Sequence, residues 1–166
     1  TAKNLYLWNS AFESCSALTA FDLSKTTAVY ENAFKDCTSL KKADARNIKN
    51  AGESAFAGCS GITELLLGKD TVLGVAMFQN CNSITSVDIY SSAIGAGAFF
   101  NCKGLRTVNI HNDLIRIGEQ AFAGCTALTA LNVAGSVGEI EYHAFYGAAL
   151  SSADISVANI GARVFE

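Results

Sequence analysis

The stretch Ile117-Gly118-Glu119-Gln120-Ala121-Phe122-Ala123-Gly124-Cys125-Thr126-Ala127-Leu128-Thr129-Ala130-Leu131-Asn132-Val133 decides the fold, because its pattern recurs along the chain. An Ala/Met-Phe-x-x-Cys unit stands at Ala11-Phe12 to Cys15, Ala33-Phe34 to Cys37, Ala55-Phe56 to Cys59, Met77-Phe78 to Cys81, Ala98-Phe99 to Cys102 and Ala121-Phe122 to Cys125. A further copy, Ala144-Phe145 to Ala148, replaces the cysteine by alanine. The phenylalanines are spaced by 22, 22, 22, 21, 23 and 23 residues, and a step of 20 then reaches Phe165. A period held this closely marks a repeat architecture in which each turn is one supersecondary unit.

After each unit comes an apolar-x-x-apolar-x-apolar pattern: Leu18, Phe21, Leu23; Leu40, Ala43, Ala45; Ile62, Leu65, Leu67; Ile84, Val87, Ile89; Leu105, Val108, Ile110; Leu128, Leu131, Val133; Leu150, Ala153, Ile155. The alternation at its end is the period of a strand with one inward face. One short strand per turn, seven in all, is expected to stack into a parallel sheet. A second inward point precedes each phenylalanine, often as apolar-Gly, in Ala51-Gly52, Leu73-Gly74, Ile94-Gly95, Ile117-Gly118 and Ile160-Gly161. From there through Ala-Phe the spacing predicts a second extended segment and one or two helical turns. The residue before each cysteine position, Ser14, Asp36, Gly58, Asn80, Asn101, Gly124 or Gly147, tolerates the left-handed conformation that ends a helix.

The fold class expected is therefore an α/β repeat solenoid with one short parallel strand per 22–23-residue turn, forming a single domain over residues 1–166. About seven full turns are followed by the start of an eighth, with Leu5, Leu7 and Trp8 as a partial cap at the amino end. The chain stops at Phe165-Glu166 before an eighth strand, so it reads as a piece of a longer protein whose open ends permit self-association.

Ile-Gly-x-x-Ala-Phe-x-x-Cys-x-x-Leu, as it stands from Ile117 to Leu128, resembles the BspA-like leucine-rich repeat of bacterial and protozoan surface proteins. The resemblance covers nearly the whole chain. It implies a right-handed superhelix, an extracellular or cell-surface location, and adhesion to host proteins or other cells. The chain departs from the family at the strand end, where the family often carries proline. Here those positions hold Ser24, Arg46, Gly68, Tyr90, His111, Ala134 and Ser156, and proline is absent altogether. That departure leaves the fold assignment intact but prevents carrying over a specific partner.

Composition narrows the function classes. Hydrophobic residues make up 50% and charged residues only 16%, against about 25% charged in ordinary soluble domains, so much of the chain is buried. A net charge of −3 and no Lys/Arg cluster beyond Lys41-Lys42 leave no basic footprint for nucleic acid. No apolar run approaches the roughly 18 residues of a membrane span. All six cysteines occupy one repeat position and lie at least 21 residues apart, so they are expected as free, buried thiols filling space. Metal sites need ligands that converge, and disulfides would pull the ladder out of register.

The side chains between the inward strand positions are expected to face solvent, presenting rows on the concave side. One row reads Asp22, Asp44, Leu66, Asp88, Asn109, Asn132, Asp154. The candidate binding residues are Asp44, Glu64, Leu66, Asp88, Tyr90, Arg106, Asn109 and His111, with a protein or glycan of a host or neighbouring cell as partner. Calcium would relieve a row of carboxylates, but Leu66 and two asparagines interrupt it, so no metal and no cofactor are expected. The only histidines, His111 and His143, come with no nucleophile-and-acid constellation, so no enzyme is expected. The alternatives to an extracellular binding module are a structural spacer and an intracellular protein-interaction scaffold, which reduced thiols would suit.

Overall fold

Residues 4–151 and 156–166 are described by the computed structural model. Among them the chain forms β1 Leu5–Leu7, β2 Thr26–Val29, β3 Lys42–Asp44, β4 Asn50–Ala51, β5 Glu64–Leu66, β6 Ser86–Ile89, β7 Ala93–Ile94, β8 Thr107–Ile110, β9 Leu114–Ile117, β10 Ala130–Val133, β11 Val137–Ile140 and β12 Val157–Ile160. The strands divide between two faces. One carries the sheets β3-β5 and β6-β8-β10, and the other carries β1-β2-β4 and β7-β9-β11-β12. Every pairing is parallel. The register joins equivalent repeat positions, as in Val87↔Val108 and Leu131↔Val108. A bridge from Leu73 to Ile94 continues the second face across its break.

The core is one continuous cluster running the length of the stack. Its axis is a column of rings from Phe12 through Phe34, Phe56, Phe78, Phe99, Phe122 and Phe145 to Phe165. Successive centroids are 5.0–5.6 Å apart and planes within 1–16° of parallel. Near-parallel rings at that separation are offset-stacked, the arrangement the ring quadrupole favours. A single coil has no second layer to cover its phenylalanine, so each ring is buried by its neighbours along the axis.

The expected α/β class is corrected: the described residues contain no helix, and the solenoid is all β. The hydrogen bonds of the corner show why. In Gly97–Cys102 the odd-numbered amides Gly97, Phe99 and Asn101 donate to Glu119, Ala121 and Ala123 of the next coil, each at 2.8 Å. The amides between them turn back within the coil: Ala98 to Gly95 at 3.2 Å, Phe100 to Gly97 at 2.9 Å and Cys102 to Phe99 at 3.1 Å. An α-helix needs every amide for its own i−4 carbonyl. Here half are spent on stacking, and the segment closes as consecutive tight turns.

Left-handed residues enforce this. All seven expected positions before the cysteine site have positive φ, from Asn101 at 56° to Gly58 and Gly124 at 73°. A second left-handed row, two residues before each phenylalanine, was not anticipated. It comprises Ser10, Asn32, Ser54, Ala76, Gly97, Gln120, His143 and Arg163, with φ between 51° and 60°. Most of these are not glycine, so composition hid the requirement. At Gly97 an added Cβ would lie 3.8 Å from its nearest neighbour, leaving conformation as the only penalty. Gly97→Ala is expected to lower stability by about 1 kcal/mol, read from the urea midpoint. An unchanged midpoint would contradict the left-handed corner.

One strand of the expected seven is absent, and another falls partly outside the described residues. Leu18–Leu23 is not a strand: a single backbone bond reaches it from the next coil, Lys41 N to Thr19 O at 3.2 Å, and the Asp22 carboxylate accepts from Ser24 N at 2.9 Å, turning the chain. The seventh, at Leu150, Ala153 and Ile155, includes positions 152–155, which lie outside the described residues, as does Asp154 of the acidic row.

All six cysteines are free; five are buried and Cys15 is exposed. They do more than fill space. The thiols of Cys37, Cys59, Cys81, Cys102 and Cys125 donate to the carbonyls of Phe12, Phe34, Phe56, Phe78 and Phe99 of the preceding coils at 3.0–3.2 Å. The cysteine ladder thus adds a hydrogen bond between coils where strand pairing is absent.

Candidate binding face

Because strand side chains alternate, β6, β8 and β10 bury Val87, Ile89, Val108 and Ile110 and turn Asp88, Asn109 and Asn132 outward. Parallel in-register pairing sets these three side by side. Asn132 donates its Nδ2 to Asn109 Oδ1 at 2.8 Å, and Asn109 donates its own Nδ2 to Asp88 Oδ1 at 3.1 Å. His111 Nε2 meets the same Asp88 oxygen at 2.8 Å. The ring of His111 stacks on Tyr90 with centroids 4.6 Å apart and planes 9° from parallel. His111 and Asn112 follow β8, just as Tyr90 and Ser91 follow β6, so equivalent corner positions bring the two rings together.

The His111 contact draws the Asp88 carboxyl below its usual range; desolvation opposes it and the Asn109 amide reinforces it. Asp88, Asn109, His111 and Tyr90 are therefore one ordered polar and aromatic patch spanning two coils, extended onto a third by Asn132. Beside it lies a shallow hollow of about 270 Å³ lined by Asn109, Ile110, His111, Asn132, Val133 and Ala134.

The other expected site residues are placed differently. Asp44 is held by Arg46 in a two-pronged pair, Nε to Oδ1 at 2.8 Å and Nη2 to Oδ2 at 2.7 Å. That pairing lowers its pKa. Glu64 pairs with Lys42 at 2.6 Å, and Leu66, half-buried, sits opposite Asp44 in register. These three belong to the β3-β5 sheet, separate from the sheet that carries Asp88. Arg106 is exposed at the entry to β8 and makes none of the patch's contacts. Sequence reasoning left out Asn132, Arg46 and Lys42. The row pattern already contained Asn132, whereas the two cations are recognisable only once their partners are located.

Among the described residues no group of three or more His, Cys, Asp or Glu side chains is gathered to hold a metal ion. No helix among them is long and apolar enough to cross a membrane. The patch offers hydrogen-bond donors and acceptors, one carboxylate and two stacked rings on an open surface, which is chemistry suited to recognition.

Comparison with known proteins agrees with the repeat reading. A family model described as "BspA type Leucine rich repeat region" matches in six copies over residues 3–106 and 92–166. No curated protein sequence matches the chain. A leucine rich cell surface protein from Faecalibacterium prausnitzii A2-165 is similar in structure, with a TM-score of 0.63 and 25% identity over 72% of this chain. The chain spans 33% of that protein's length. The leucine rich repeat protein of T. pallidum shares the fold at a TM-score of 0.50 and 22% identity, over 78% of this chain and 73% of its own.

Proposed function

Since the chain belongs to the BspA-type leucine-rich repeat family, we propose that it is a non-catalytic binding module, one repeat domain of a longer surface protein. It recognises a protein or glycan of a host or neighbouring cell through the strand face. Protein binding is the general business of leucine-rich repeats, and a similar solenoid belongs to a bacterial cell surface protein. The observation that carries the reading is the Asp88–Asn109–His111–Tyr90 patch, whose side chains are ordered by one another before any partner arrives. Preorganised rings and polar groups lower the entropy cost of association. Asp44, Glu64, Leu66 and Arg106 flank it as the outer part of the same face.

Free thiols are compatible with an extracellular setting. Burial raises the pKa of Cys59 and Cys125 to about 12 and that of Cys37 to about 11, so the reactive thiolate is scarce and sterically shielded.

The test is a binding screen of the chain against immobilised matrix proteins, mucins and glycans, beside the variant Asp88→Ala/Tyr90→Ala/His111→Ala. The expected result is binding by the wild type and at least about tenfold weaker binding by the variant, with urea midpoints alike. Equal binding by both would move recognition off this face. No binding by either would overturn the reading in favour of a spacer.

A further inference from the structure

A second hollow, of about 270 Å³, lies on the corner of the solenoid and shares no lining residue with the strand-face hollow. It arises from one repeat position, the residue after each ladder phenylalanine, which reads Glu13, Lys35, Ala57, Gln79, Phe100, Ala123, Tyr146, Glu166 over successive coils. Large-small-large at 100, 123 and 146 makes a slot. Coils about 5 Å apart put the two aromatic walls, two coils apart, at about 10 Å. The floor is Ala123, only 2% exposed, and Gly124, where a Cβ would come within 2.1 Å of Asn101 Oδ1. The floor therefore stays low.

The rim is polar and carries no Asp, Glu, Lys or Arg side chain, being formed by the carboxamides of Asn101 and Gln120 and the ring of His143. His143 is held between Tyr142, at 3.7 Å and 27°, and Tyr146, at 4.6 Å and 39°. Its Nε2 is shut off from solvent and has no hydrogen-bond partner, an arrangement that natural proteins rarely leave unexplained. An ionic ligand would surrender hydration with no opposite charge to meet it. A peptide's aromatic side chain would fit between the walls but leave the polar rim unmatched. A pyranose satisfies both, with C–H faces for the rings and edge hydroxyls for carboxamides that donate and accept.

We propose that the corner hollow between Phe100 and Tyr146 binds a neutral pyranose unit of a glycan. The walls sandwich the sugar ring, and the carboxamides of Asn101 and Gln120 meet its hydroxyls. This site is independent of the strand-face patch, so the two readings fail separately.

The experiment is saturation-transfer difference NMR with the methyl glycosides of glucose, galactose, mannose and N-acetylglucosamine, and with N-acetyltyrosinamide as an aromatic peptide surrogate. Ala123→Leu fills the slot, Tyr146→Ala removes a wall, and Asp88→Ala/Tyr90→Ala alters the strand face; urea midpoints report folding for each. The expected result is saturation of at least one glycoside, weakened about tenfold or more by Ala123→Leu and Tyr146→Ala and unchanged by the strand-face variant. Absence of any glycoside signal, glycoside binding that survives Ala123→Leu, or capture of N-acetyltyrosinamide alone would each overturn the proposal.

Discussion

Raising the pH from about 8 toward about 11 is expected to unfold the solenoid, driven by its own thiols. Burial pushes Cys59 and Cys125 up to about 12 from an ordinary value of 9.0, and raises Cys81 and Cys102 strongly as well. Above about pH 9 the unfolded chain releases those protons to water while the folded chain keeps them. The folded state's stability is therefore intact below the unfolded pKa and is lost as pH climbs toward the folded values. Each thiol removes on the order of 1 kcal/mol per pH unit in that window, and the losses of the four add. A domain holding about 5 to 15 kcal/mol is exhausted within a few units. Urea midpoints measured across this range should fall steeply, and in Cys81→Ala the slope should be shallower by one thiol. A flat profile would contradict burial of the ladder. Thiol titration at neutral pH supplies the companion check: Cys15, the exposed one, should react quickly and the five buried ones only after unfolding.

Phe56→Ala is expected to cost about 3 to 5 kcal/mol, because the ring leaves a cavity that rigid neighbouring coils cannot fill. Phe56 is fully buried and stacked on both sides, at 5.0 Å from Phe34 and 5.4 Å from Phe78. Phe12 is only partly buried, although it too stacks on a ladder neighbour. Phe12→Ala should therefore cost clearly less. Chemical denaturation of the two variants would measure the difference, and equal losses would rule out a column stabilised by nearest neighbours.

Much of this molecule was legible before any coordinates. The 22-residue period, the phenylalanine column, the single cysteine position and the outward row of Asp88, Asn109 and Asn132 follow from spacing alone. Strand periodicity cannot be satisfied any other way when each turn must bury its face on the next. The left-handed residue before each cysteine was legible too, since Ser, Asp, Asn and Gly dominate there.

The helical turns were misread because a short Ala-Phe-rich segment has good helix propensity, and propensity counts only local hydrogen bonds. In the corners every second amide bonds to the adjacent coil, as Phe99 N does to Ala121 O, and no local scale registers that competitor. The second left-handed row escaped for the same reason: Ala76, Gln120 and His143 adopt φ of 51–56° against their own preference. Stacking enforces there what side-chain type does not. The Tyr90–His111 stack and the Phe100–Tyr146 slot likewise depend on which residues become neighbours across coils about 5 Å apart. Sequence by itself determined the repeat, the core and the outward rows, because these are periodic and set by burial. Tertiary structure alone decided how the corners close and which side chains meet, because those are settled by hydrogen bonds and contacts between residues more than 20 positions apart.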